Sequence, residues 1–385
     1  MDWNSLIFPI PKASYTKLTF PNQLIWVPKK EYNYKDKLKY KQNLPQYNNN
    51  NNNHSNNHIN NHNHNYKHNI QKLIKTKTPK KQTNKIIFHS KSTSMIQRVP
   101  SISFQIDNKF LNDSLTKPGS SLNTTYIPCL FLKSSTPTDK LLIYFHSNYE
   151  DLGNTYSFCK KISTSLNMNV LAVEYPNYGL YKSTPSSPLN ADTINNDAEV
   201  IFKFINEVEN IKESNIIIMG RCVGSGPATY LATKHSVMAL ILLSPFKSIK
   251  EAIKTMFPRL NVGTLLKSLV KERFNNYESI SKVVSPILFI HGKEDNVIPP
   301  IHSVDLIEKC KAPAKMVIPD TMTHSVFDFE KDVIVHIRDF FKVFGIVEEG
   351  VVEEDDEGMD DMDEGVGVDV VKEIDFPKWM FKAPC

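Results

Sequence analysis

The segment Gly220-Arg221-Cys222-Val223-Gly224-Ser225-Gly226-Pro227-Ala228 sets a nucleophilic side chain between two glycines, directly after the apolar run Ile216 to Met219. A reactive group displayed on a sharp strand-to-helix turn needs small neighbours. The turn is strained, and the helix that follows must pass close to adjacent strands. Gly220, Gly224 and Gly226 meet that demand, and Pro227 is tolerated in a helix's first turn. Glycines after a strand also serve phosphate loops, so this spacing alone leaves two chemistries open.

Two further groups decide between them. A nucleophile of this kind needs a histidine base and an acid to orient it, met along the chain as nucleophile, acid, histidine. After the apolar run Ile287 to Ile290 comes His291-Gly292-Lys293-Glu294-Asp295-Asn296-Val297-Ile298-Pro299, which offers Asp295. After Met316 to Ile318 comes Asp320-Thr321-Met322-Thr323-His324, which offers His324. Singly, Asp295 reads as a helix cap and His324 as a surface-loop histidine. On three successive strand ends, Cys222, Asp295 and His324 read together as a triad for nucleophilic acyl chemistry. Glu294 and Asp320 are the alternative acids, and His291 reads as a structural residue.

The elements that must position these groups follow from hydrophobic patterning. Tyr126 to Leu132, Leu141 to Phe145, Val170 to Val173, Ile216 to Met219, Met238 to Leu243, Ile287 to Ile290 and Met316 to Ile318 are predicted strands. Most are solid apolar runs, the pattern of strands covered by helices on both faces. Ile194, Ala198, Ile201, Ile205 and Val208 repeat at helical spacing. So do Val326, Phe329, Val333, Ile337, Phe340 and Phe344, with Gly345 as a natural stop. Strand–helix alternation predicts a doubly wound α/β domain with a mainly parallel sheet, whose reactive loops lie at the strands' carboxyl ends.

Composition sets the bounds. The chain has 385 residues, 40% apolar and 23% charged, with a net charge of +5. That is enough apolar material for a large core. No run approaches the ~20 apolar residues of a membrane span, and the N-terminus lacks the pattern of a secretory signal. Five scattered cysteines make neither a disulfide framework nor a zinc site, which points to a reducing, cytoplasmic setting.

The charge is unevenly placed. Lys29 to Arg98 holds 15 Lys or Arg against Glu31 and Asp36, and Glu348 to Asp369 holds 12 acidic residues and no basic one. The 22 residues Asn48 to Asn69 include 13 Asn and 5 His, too little apolar surface to offset ordering entropy, so the tract is expected to be disordered. His54, His58 and His62 would share a helix face fit for a metal, but asparagine is a poor helix former and no metal site is expected. The basic block offers a salt-sensitive attraction to an anionic membrane surface, and nothing there resembles a module for specific nucleic-acid binding. The expected organisation is a leader over 1–41, a basic Asn/His-rich insertion over 42–98, the α/β domain over 99–345 and an acidic tail over 346–385.

Beyond these patterns, residues from about Tyr126 to Phe344 resemble the α/β-hydrolases. Within them, the chain is similar to the branch of acyl-protein thioesterases (depalmitoylases) and serine aminopeptidase-like proteins. The likeness is carried by His146-Ser147-Asn148-Tyr149-Glu150-Asp151-Leu152-Gly153, where that branch has His-Gly-Asn…Asp-Leu-Gly. Further support comes from Glu174-Tyr175-Pro176-Asn177-Tyr178-Gly179, Gly220 to Ala228, Ser244-Pro245-Phe246 and His291 to Ile298. Leu6 to Pro28 resembles the leader that precedes the domain in that branch, although the branch's N-terminal cysteines have no counterpart before Cys129.

The resemblance implies hydrolysis of an acyl ester or thioester, most specifically of an S-palmitoylated protein, without a cofactor. It implies that backbone N–H groups of Asn148 and Val223 form the oxyanion site. Apolar residues of Phe257 to Phe274 would form a short cap able to accept an acyl chain, or else an ordinary core helix. Two departures lie in this apparatus. Cys222 stands where serine is usual, and Ser147 stands where the branch has glycine beside the oxyanion donor. A thiol beside a helix start and a histidine can serve, as it does in the dienelactone hydrolases. The alternative is an inactive hydrolase fold retained as a binding or scaffold protein.

Overall fold

The computed structural model describes residues 10–29, 126–182, 184, 188–256 and 273–346. The Asn/His tract with its three spaced histidines, the basic block beyond Lys29, the cap segment 257–272 and the acidic tail lie outside the described residues.

Eight strands form one sheet. They are β1 (Leu24–Pro28), β2 (Tyr126–Leu132), β3 (Leu141–Phe145), β4 (Asn169–Val173), β5 (Ile216–Arg221), β6 (Ala239–Leu243), β7 (Ile287–Ile290) and β8 (Ala314–Val317). Their spatial order is β1-β2-β4-β3-β5-β6-β7-β8. β2 runs antiparallel to both of its neighbours, and every pairing from β4 to β8 is parallel.

Parallel strands require crossover helices, which here cover both faces. Leu142, Tyr144, Ile217 and Met219 point into one apolar layer, while Ile143, Phe145, Ile216 and Ile218 point into the other. The first layer packs against α1 (Leu152–Leu166) and α7 (Val335–Phe344). The second packs against α2 (Ala191–Lys203) and α3 (Ser225–Ala232). On the second face α4 (Ile249–Met256), α5 (Asn276–Ser279) and α6 (Ile301–Lys309) complete the described helices.

The predicted strands are present, with shifts of one or two residues at their ends, and the α/β-hydrolase fold follows from their order. One strand was not anticipated. β1 comes from the leader and pairs with β2, Leu24 opposite Leu130 and Pro28 opposite Tyr126. The last helical stretch begins at Phe329 and passes through a π turn, Glu330–Ile334, into α7, one position in the apolar repeat later than the spacing suggests. Val326 is 72% exposed and lies outside it. Asp328 sets the start: its carboxylate accepts the Lys331 N–H at 2.8 Å, a side-chain cap that interrupts the apolar repeat. Among the described residues, no helix is long and apolar enough to cross a membrane.

β3 lies between β4 and β5, so the chain winds outward in both directions from this pair. The crevice beyond the carboxyl ends of β3 and β5 is the topological switch point of the sheet, the place where such folds hold their ligands.

Candidate active site

Cys222 sits at that crevice, one residue past β5, with φ of 52°. This left-handed value is uncommon for a residue carrying a Cβ and stores strain in the turn. Close backbone packing holds it there. A Cβ on Gly224 would lie 2.1 Å from the Phe145 carbonyl oxygen, and one on Gly220 would lie 2.3 Å from the Gly224 carbonyl oxygen. The glycines are therefore required by the approach of the turn to β3, as the spacing predicts. A single 3-10 turn, Cys222–Gly224, leads into α3. The thiol is partly exposed, while Cys129 and Cys159 are buried and burial raises the pKa of both.

Asp295 and His324 meet. His324 Nδ1 lies 2.7 Å from Asp295 Oδ2, and the ring is close enough to Cys222 for the two side chains to interact. The other Asp295 oxygen accepts the N–H groups of Val297 at 3.0 Å and Ile298 at 2.8 Å. His291 approaches Asp295 Oδ2 at 3.3 Å and is itself locked by Ser303 and by the Ile298 carbonyl. Burial opposes the Asp295 charge, but the hydrogen bonds from His291, His324 and Ile298 outweigh it and hold the carboxyl well below the usual range. For His324, burial disfavours the cation. Hydrogen bonds to Asp295 and Cys222, with their negative charges, overcome that and push the imidazole up to about 10.

The alternative acids lie elsewhere. Glu294 is exposed, and Asp320 is 81% exposed in a pair with Lys293. The two loops are braced against each other: Glu294 N–H donates to the Met322 carbonyl, and a Cβ on Gly292 would strike that same oxygen at 2.2 Å.

The loop after β3 approaches from the other side of the crevice. Tyr178 Oη contacts both the carbonyl and the side-chain oxygen of Asn148, at 3.0 and 3.1 Å. The Ser147 N–H is committed to Glu150 Oε2 at 3.1 Å. Val223 is in the first turn after Cys222, where a helix start leaves N–H groups without intrahelical acceptors. Asn148 and Val223 thus flank the crevice from β3 and β5 respectively. Behind them His146 is fully buried between Glu174 and the Ser147 carbonyl.

Two residues of this site carry no sequence signal. Arg221, in the unspecified position of the glycine motif, is 8% exposed. Its guanidinium bonds Glu150 Oε1 at 2.9 Å and the His324 carbonyl at 3.1 Å. Nothing in their spacing along the chain, 71 and 103 residues, announces these contacts. Among the described residues, no group of three His, Cys, Asp or Glu side chains is arranged to hold a metal ion.

No family model matches the chain. Alpha/beta hydrolase domain-containing protein 17B from Homo sapiens is 28% identical over 214 residues, 56% of this chain and 70% of that protein. Alpha/beta hydrolase domain-containing protein 17C from Xenopus laevis is 30% identical over 186 residues, 48% of this chain and 56% of that protein. Among solved structures, a Pyrococcus furiosus esterase aligns at a TM-score of 0.47 with 14% identity, covering 58% of this chain and 87% of its own. The chain has the strand order and the switch-point crevice of an α/β-hydrolase fold, and it is similar to alpha/beta hydrolase domain-containing proteins 17B and 17C.

Proposed function

We propose that this α/β-hydrolase cleaves acyl esters or thioesters through Cys222, His324 and Asp295, with the acyl group of an S-acylated (palmitoylated) protein as its substrate. The observation that carries this reading is the 2.7 Å contact between His324 and Asp295, with Cys222 close enough to the same imidazole to help hold it as the cation, on three strand ends. In this mechanism His324 takes the thiol proton and forms an imidazolium that Asp295 stabilises. The Cys222 thiolate attacks the acyl carbonyl, and the N–H groups of Asn148 and Val223 receive the oxyanion. His324 then gives its proton to the departing thiolate or alkoxide. Water, deprotonated by His324, releases the acid and restores Cys222.

Substrate class rests on the similarity to the depalmitoylase branch. The proposed setting is cytoplasmic, with peripheral contact to an anionic membrane through the basic insertion. The reading that competes with it is an inactive fold kept as a binding protein, which the serine side chain at position 147, beside the proposed Asn148 donor, favours.

The deciding experiment is hydrolysis of a panel of acyl esters and acyl thioesters of increasing chain length by wild type and Cys222→Ala. Turnover that disappears in Cys222→Ala supports the enzyme. No turnover of any member, or turnover equal in the variant, leaves the binding protein.

A further inference from the structure

The two halves of the candidate site reach Cys222 from opposite sides, and one side chain touches both. Glu150 belongs to the loop after β3. One of its oxygens accepts the Ser147 N–H at 3.1 Å and so fixes the turn that presents Asn148. Its other oxygen accepts Arg221 Nη1 at 2.9 Å. The second arm of the same guanidinium, Nη2, donates to the backbone carbonyl of His324 at 3.1 Å. The Arg221 guanidinium carbon lies 5.1 Å from the centre of the Phe327 ring, three residues further along the histidine loop. Planar forked geometry lets arginine serve two acceptors in fixed relative positions, and a cation–π contact with an aromatic ring adds a third anchor.

From this fork we infer that Arg221 is a positioning residue, which locks the His324 loop and the Ser147–Asn148 turn in register on either side of Cys222. The inference rests on the hydrolase reading for its catalytic consequence. The contacts themselves bear on the accessibility of His324 to Cys222, whatever the substrate. Arg221 suits the task because it immediately precedes Cys222. Any movement of the turn carries the fork with it, so nucleophile, base and oxyanion loop shift together. Its low exposure excludes water that would otherwise compete for the His324 carbonyl and for Glu150.

The test compares wild type, Arg221→Gln, Arg221→Lys and the double variant Arg221→Gln/Glu150→Gln in the full chain. Two readouts are taken: kcat and KM on the best acyl substrate, and the iodoacetamide alkylation rate of Cys222 at pH 7 with and without His324→Ala. Loss of register lowers kcat by about 10- to 100-fold while KM changes little, because misplacement of reacting groups by about 1 Å has that effect. The accelerating effect of His324 on alkylation is also lost. Lysine keeps the charge but cannot hold both acceptors, so Arg221→Lys does not rescue; a purely electrostatic role would be rescued.

The double variant leaves no unpaired buried charge and answers if Arg221→Gln alone unfolds. Folded variants that keep both kcat and His324-dependent alkylation within about twofold of wild type overturn the inference. A wild type that alkylates in a His324-dependent way but hydrolyses nothing removes the hydrolase reading alone. In that case the alkylation arm still decides the role of Arg221.

Discussion

The hydroxyl of Tyr15 lies 2.8 Å from the carboxylate of Glu174, across 159 residues of chain. Glu174 is fully buried. It also holds His146 at 3.2 Å and accepts the N–H of Leu152 at the start of α1. Its neighbour in the leader, Ser14, donates from its N–H and hydroxyl to Asp151, the residue that caps α1. The segment around Tyr15 and the loop after β3 therefore share one polar network. Tyr15→Phe removes a donor to a buried carboxylate, which costs about 1.5–3 kcal/mol. Thermal melting should show a fall of roughly 3–10 °C for a domain this size. A Tm within about 1 °C of wild type means that Glu174 does not depend on the leader.

How much of this was readable in the sequence depends on the range of the interaction concerned. β3 through β7 are solid apolar runs because both faces are buried, and burial on both faces writes itself into composition. Cys222 is visible because the tight turn demands glycines at fixed short spacing. β1 is not, because its short run ends in Pro28, which argues against a strand, and its partner β2 begins only at Tyr126, far along the chain. Arg221 and Glu150 are invisible for a related reason. A polar side chain that bridges loops leaves no repeat, and its meaning exists only once the sheet has brought β3, β5 and the His324 loop together. Val326 shows the opposite error, where an apolar residue at helical spacing is overruled by the cap at Asp328.

The His324–Asp295 pair makes stability depend on pH in a direction that follows from the two shifts. His324 is raised to about 10, so its contribution is fully present below its unfolded value of about 6.5 and is lost as pH rises through 10. Asp295 is lowered, so its contribution is present above about 3.9 and is lost as pH falls further. Between these limits the pair stabilises most. The melting-temperature gap between wild type and His324→Ala should therefore be widest near pH 5–6 and should close by several degrees toward pH 10. A gap that is flat across this range means the imidazolium is not held by Asp295 and Cys222.

Packing at the turn predicts a second stability effect, independent of charge. Gly224→Ala places a methyl group 2.1 Å from the backbone oxygen of Phe145, where a strand rather than a flexible side chain must give way. Overpacking of this kind costs about 1–3 kcal/mol and would push Cys222 away from the β3 loop. Gly345→Ala is the control. Its φ of 61° is strained for alanine, but no atom lies within 4 Å of the added carbon. Calorimetry should give a larger loss for Gly224→Ala, accompanied by slower alkylation of Cys222. Equal losses with unchanged alkylation mean the turn accommodates a side chain and does not set the position of the thiol.

Sulfur at position 222 should leave a mark on the pH profile of activity that serine cannot copy. With Cys222 in place the His324 imidazole is pushed up to about 10, so the imidazolium is its resting form across this range. Attack then requires no free imidazole, and turnover persists on the acid side. In Cys222→Ser the thiolate charge is gone, so His324 loses one of its two stabilising partners and its pKa falls. The alkoxide must form during attack, with neutral His324 as base. The serine variant should hydrolyse acyl esters, but its rate should climb with pH along the titration of His324. Cys222→Ala should be inactive throughout. Steady-state rates for the three proteins between pH 5 and 9 provide the comparison, with circular dichroism to establish folding at each end. If Cys222 and Cys222→Ser share one acid limb, the resting pair is neutral thiol and neutral imidazole, and proton transfer accompanies attack in both.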